Sequence, residues 1–295
     1  MALRIGINPL TWTNDDMPEL GGDTPLETCL SEAKAAGYEG VELGTKFPRT
    51  ADELRPHLER HGLSLVSGWY GSRLLERPAG AEIKAMSDHL TLLTAMGCRV
   101  MVFAEVTGSI HGAPAESLSK RPILDEEDWG SFGERLTEVA EHLAAHGIRM
   151  AYHHHMGTVV QTEDDTDRLM DRTGEAVGLL VDTGHLTYAG ADPVNVIERH
   201  GARVNHVHCK DVRRDVLRRA LAQDWSFLDA VLAGVFTVPG DGAVNFPAAL
   251  RALGAGGYKG WLVVEAEQDP AKAHPLTYAR MGREAIGHDL AASGL

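Results

Sequence analysis

The stretch HGIRMAYHHH, residues 146–155, reads as a helix end, a glycine, and then a short apolar run closing in three histidines. Glycine suits that junction because the residue after a helix often takes a positive φ, which other residues resist. The same punctuation recurs in AAGYEGVEL at Gly37, RHGLSLVSG at Gly62, MGCRVMVF at Gly97, TGEAVGLLVD at Gly174, HGARVNHVH at Gly201 and GGYKGWLVVE at Gly257. With an opening strand over residues 3–8, these junctions predict eight strands separated by helices. Strands that alternate with helices across short links must pair in parallel. Eight such units in about 250 to 300 residues predict a closed (β/α)8 TIM barrel, a single domain over residues 1–295.

Helix starts are also legible. Thr24-x-x-Glu27, with Pro25 at the first helical position, and Thr50-x-x-Glu53 both read as capping boxes, and Leu26, Cys29, Leu30 and Ala33 then follow one face. No Gly-x-Gly-x-x-Gly follows the first strand; Pro239-Gly240-Asp241-Gly242 is the nearest run and falls in a late loop, which argues against a dinucleotide site. Two stretches exceed ordinary loop length, residues 105–124 and residues 209–242. The second carries Val212, Val216, Leu217, Leu221 and Trp225, an apolar set that predicts a cover for the barrel mouth or a homo-oligomer contact.

Composition narrows the classes. The 295 residues are 43% apolar, enough for one large core, and the net charge of −14 leaves no diffuse basic surface for nucleic acid. Three scattered cysteines make neither a zinc ribbon nor a disulfide framework and predict a reducing cytoplasm. No apolar run is long enough to cross a bilayer, and nothing before Leu3 has a signal-peptide layout. The expectation is a cytoplasmic protein with no membrane partner. The 15 histidines are about twice the usual share, so their positions carry weight.

In a barrel of this kind the chemistry sits at the carboxyl ends of the strands. Those ends are Asn8, Glu42, Glu105, the histidines 153 to 155, Asp182 followed by His185, His206 with His208, and Glu265. Strand alternation places His153 with His155, His206 with His208, and Val263 with Glu265 on shared faces. A lone histidine at a strand end is ordinarily hydrogen-bonded structure. Asp182, His208 and Glu265 at successive strand ends are different, because clustered carboxylates without a cation repel one another at low dielectric. They predict a divalent-metal site.

Through Gly40-Val-Glu42, Asp182-Thr-Gly-His185, His206-Val-His208-Cys-Lys-Asp211 and the Glu265 strand, the whole chain resembles the xylose-isomerase-like barrel superfamily. More narrowly, GINPLTWTNDDMPELGGDTPLETCLSEA, ELGTKFPR, YHHHMGTVVQTEDD, VDTGHLTYAGAD and FTVPGDGAVNF are similar to the myo-inosose-2 dehydratases of inositol catabolism. The resemblance implies dehydration of 2-keto-myo-inositol to a trihydroxycyclohexane-dione. It implies a metal, Mn²⁺ or Co²⁺, held by Asp182, His208, Glu265 and, as the fourth ligand, His153, and it implies glutathione as a further requirement. The wider superfamily has a carboxylate where this chain has His153, which removes one half of the acid and base pair of an epimerase.

Loss of water from a ring ketone needs removal of an α proton and expulsion of a β-hydroxyl. A divalent ion at the ketone would stabilise the developing negative charge. Glu265, Glu105 or His153 is the expected base, and His185 or His155 the expected donor to the leaving hydroxyl. Asn8, Trp12, Glu42, Lys46, His155 and Arg214 are the expected contacts of this small polyol ketone, with Arg49 as a further cation; for Lys46 and Arg49 the competing reading is an ordinary surface pair. A ketose isomerase or epimerase on the same barrel is the alternative reaction, since it shares proton abstraction beside a metal-bound carbonyl. An endonuclease IV-type phosphodiesterase would need more histidines on strands three and four than this chain provides, where Ser67, Trp69 and Glu105 stand. A silent sugar-binding module would not need so many titratable groups at one mouth.

Overall fold

The computed structural model describes residues 3–293. The single-domain reading of residues 1–295 also takes in Met1, Ala2, Gly294 and Leu295, which lie outside the described residues. The strands are β1 Arg4–Ile7, β2 Gly40–Leu43, β3 Ser64–Ser72, β4 Val100–Glu105, β5 Arg149–His153, β6 Val177–Asp182, β7 Val204–Cys209, β8 Asp211–Val212, β9 Phe236–Thr237 and β10 Trp261–Val264. All but β8 and β9 close a parallel barrel in the order β1-β10-β7-β6-β5-β4-β3-β2. The expected (β/α)8 architecture is therefore present.

Gly37, Gly62, Gly97, Gly147 and Gly257 take φ between 60° and 89°, the left-handed conformation anticipated for a residue just past a helix. Two junctions have another cause. Gly201 stays right-handed at φ −52° and opens a short 3-10 turn, while a β-carbon on Gly174 would lie 2.8 Å from Thr137 Cγ2. The first expected capping box is absent, because the helix Leu26–Ala35 has Pro25 at its N-cap and leaves Thr24 outside. Glu27 instead reaches the next helix, where it meets His57 at 2.6 Å, His61 at 2.8 Å and Arg60 at 2.9 Å. At Thr50 the hydroxyl meets the Glu53 carboxylate at 2.8 Å but caps no backbone amide.

The main core lies between strands and helices; a smaller apolar layer of Val100, Val102, Ala151 and Leu180 fills the barrel interior below the mouth. The excursion after β7 forms the antiparallel β8–β9 ribbon and the helices Arg214–Ala222 and Phe227–Leu232. It has its own cluster, in which Val212, Val216, Leu217, Phe227 and Phe236 pack against Met156 and Tyr188. Trp225 is partly buried at its edge, whereas Leu221 is 58% exposed. The Pro239–Gly242 run belongs to this excursion: the Asp211 carboxylate accepts the Gly240 and Gly242 amides at 3.1 and 3.0 Å, so the protein's own anion fills that turn. Among the described residues no helix is long and apolar enough to cross a membrane.

Candidate active site

Four side chains converge at the barrel mouth. His153 ends β5, Asp182 ends β6, His208 lies on β7 and Glu265 follows β10; all are buried, and one ligand atom from each falls within 4.8 Å of the others. His153 Nε2 is 3.7 Å and His208 Nδ1 3.5 Å from Asp182 Oδ2, and His208 Nδ1 is 3.0 Å from Glu265 Oε2. Asp182 Oδ2 and His208 Nδ1 are buried polar atoms without a hydrogen-bond partner. Such orphans are costly unless something satisfies them. Two imidazole nitrogens and two carboxylate oxygens form a donor set that fits a divalent cation.

Neighbouring groups fix these donors. His153 Nδ1 donates to the His154 carbonyl at 2.5 Å, which leaves Nε2 as the free lone pair. Asp182 caps the following helix, its Oδ1 accepting the His185 amide at 2.8 Å, so only Oδ2 is presented inward. Behind His208, Glu42 stands 3.2 Å from Nε2; Glu42 is held by His206 at 2.8 Å and by Asn8 at 2.7 Å. Asn8 Nδ2 also donates to Glu265 Oε2 at 2.8 Å.

Electrostatics separate the histidines. Burial, with further opposition from neighbouring histidines, holds His153, His155 and His185 well below the ordinary imidazole value, so they are neutral at neutral pH. Burial also works against charge on His208, yet the Glu265 and Glu42 carboxylates carry it well above that value. Burial would raise Asp182, but Lys210 and the adjacent histidines keep its carboxyl below the usual range. A buried imidazole ringed by carboxylates is a place for positive charge.

The cavity above this quartet is lined by Asn8, Glu42, His153, His155, His208 and Glu265 from the expected set, and also by Asp15, Asp16, Trp69, His111 and Glu267. Trp69 is 39% exposed, with its ring edge-on to His153 and His155 at 5.4 and 5.7 Å. His185 lies behind His155, ring centroids 4.0 Å apart, and is walled off by Phe227 and Phe236 of the excursion.

Several expected contacts go elsewhere. Trp12 is buried in the wall and its indole N–H donates to Glu32 at 2.6 Å. Lys46 is spent on the carbonyls of Gly21, Gly22 and Thr24 at 2.6 to 3.1 Å, and Arg49 on that of Gly44 at 3.0 Å. Arg214 is exposed on the first turn of its helix. Glu105, raised by burial, does not line the cavity; it accepts Ser72 Oγ and the Leu74 amide at 2.7 Å and the Thr107 amide at 3.0 Å. The strand-end rule misses Lys210 and Glu267, although they continue the alternation of residues 206, 208 and 263, 265 by one more step of two.

Residues 30–286 match the family described as xylose isomerase-like TIM barrel. The chain belongs to that family. Within it, the rhizopine catabolism protein MocC of Rhizobium meliloti is 55% identical over 294 residues, covering 100% of this chain and 90% of that protein. The inosose dehydratase of Geobacillus thermodenitrificans is 45% identical over 286 residues, 96% of each chain. Among solved barrels of this kind, the IOLI protein with a binding zinc atom covers 99% of this chain and 98% of its own at TM-score 0.64 and 17% identity, a likeness of fold alone.

Proposed function

We infer that this xylose isomerase-like barrel is an inosose dehydratase, a hydro-lyase that takes 2-keto-myo-inositol to a trihydroxycyclohexane-dione with loss of water. The observation that carries the reading is the 45% identity to an inosose dehydratase over 96% of both chains. The inward-facing quartet of His153, Asp182, His208 and Glu265 gives that likeness a chemical site. When bound there, a divalent ion, Mn²⁺ or Co²⁺, supplies Lewis-acid stabilisation of negative charge on a ketone oxygen.

The chain's own groups do the rest. Asn8 and Glu267 bind ring hydroxyls, and Trp69 offers an apolar edge to the ring. His155 Nδ1 donates to the Met156 carbonyl at 2.8 Å, so Nε2 is the lone pair left for the cavity. That nitrogen accepts the α proton and returns it to the departing β-hydroxyl, which leaves as water. His153 and Glu265, assigned as ligands, are then not free to serve as the base. Because Cys29, Cys98 and Cys209 are buried, glutathione would act here without a mixed disulfide to this chain. Mass spectrometry of the product from 2-keto-myo-inositol tests the reading: a product lighter by one water is expected, and an isomer of equal mass would put the ketose isomerase or epimerase in its place.

The 55% identity to MocC favours a second reading, in which the same cavity serves rhizopine catabolism. The two part on whether the chain turns over 2-keto-myo-inositol at all.

A further inference from the structure

Lys210 follows β7 and is wholly buried. An ammonium group taken out of water needs matched charge close by. Here Nζ lies 2.7 Å from Glu265 Oε1 and 2.6 Å from Glu267 Oε1, with His185 Nε2 at 3.0 Å and the Phe236 ring centroid at 4.6 Å. The slot is made for this side chain. A β-carbon on Gly184 would lie 2.5 Å from Lys210 Cγ, and the Thr183 hydroxyl donates to the Lys210 carbonyl at 2.7 Å and accepts its amide at 3.0 Å. Lys210 does not line the cavity, so its work is done through its neighbours.

The two oxygens of Glu265 have different partners. Oε1 is taken by Lys210, while Oε2 faces His208 Nδ1 at 3.0 Å and receives Asn8 Nδ2 at 2.8 Å. Asp182 is divided in the same way, with Oδ1 given to the His185 amide and Oδ2 left inward without a hydrogen bond, 3.6 Å from Lys210 Nζ. We propose that Lys210 is a positioning residue: by occupying Oε1 it makes Glu265 a one-oxygen ligand and keeps a coordination position open for substrate. A carboxylate that ligates through both oxygens uses two positions. The inference rests on the metal site proposed above.

Mn²⁺ is the probe, and Lys210→Met removes the charge while keeping an unbranched stem. In the Mn²⁺-loaded variant we expect a loss of water-proton relaxivity, as Glu265 takes a second position in place of water. Mn²⁺ binding should tighten on the order of tenfold, because a nearby positive charge is gone. A lysine that merely held the fold would give weaker binding and unchanged relaxivity; unchanged relaxivity overturns the proposal. Gly184→Ala, which keeps the ammonium but displaces its stem, carries the same relaxivity outcomes if Lys210→Met does not fold. Wild-type protein that binds no Mn²⁺ overturns the metal site and the role of Lys210 together, whereas normal wild-type binding beside an unchanged variant overturns Lys210 alone.

Discussion

The Glu42 carboxylate lies 3.2 Å from His208 Nε2, on the far side of the ring from Nδ1, which is 3.0 Å from Glu265. A carboxylate in that place fixes the imidazole's tautomer and orientation and raises its basicity as a ligand. Glu42→Gln should therefore weaken divalent-ion binding by about 10- to 100-fold with the fold intact. Titration calorimetry with Mn²⁺ measures this; unchanged affinity would leave Glu42 a wall residue only.

Asp182 has two jobs on two oxygens, a helix cap through Oδ1 and an inward oxygen Oδ2. Asp182→Asn preserves an acceptor for the His185 amide and removes the charged donor. The helix cap should survive, the melting temperature should fall because Lys210 loses a buried charge partner, and metal content should fall by more than about 100-fold. Full metal content and activity in both Asp182→Asn and His208→Ala would place the site elsewhere.

Much of this was readable in the chain because the barrel writes its period into the sequence. Five of the junction glycines are where a left-handed residue is needed, and a strand end in a closed barrel points at one common mouth. His153, Asp182, His208 and Glu265 follow from that rule. Lys210 and Glu267 obeyed the same alternation but lie past the strand ends, where no pattern says that a strand-like path continues. Trp12, Lys46 and Arg214 depended on the paths of loops. The Lys46 ammonium, for example, is drawn to three carbonyls of the turn at residues 21–24, a geometry that residue spacing does not encode.

Glu105 is the sharper contrast. As a carboxylate accepting three hydrogen bonds away from the cavity, it ties the end of β4 to the end of β3 and the following loop. Glu105→Gln points an NH₂ at donors and should cost about 1 to 3 kcal/mol of stability. The expected readout is a lower melting temperature with kcat/KM nearly unchanged; a large loss of kcat at unchanged stability would return Glu105 to the chemistry.

Acid should loosen the packing of the first two helices. His61, then His57, holds the Glu27 carboxyl down at about 2 from its ordinary 4.5. A carboxyl depressed in the folded state contributes stability above its unfolded value and loses it as the pH falls through the folded one. The difference in melting temperature between wild type and Glu27→Gln should be full just above pH 4.5, where the histidines are protonated, shrink toward pH 2, and be reduced by salt because Glu27 is exposed. A difference that grows on acidification would contradict this.

Burial pushes the Cys29 and Cys98 thiols up to about 12, and Cys209 higher still. Thiolate is the reactive form. Iodoacetamide at pH 8 should label none of the three in the folded protein and all of them after denaturation, as counted by intact mass.

The dehydratase reading is tested most directly by turnover of 2-keto-myo-inositol by the Mn²⁺-loaded chain in D₂O, with the mass of substrate and product followed together. The account predicts a product that has lost water and disappears when the metal is stripped. Deuterium entering a stereoisomer of the substrate, with no water lost, would contradict it.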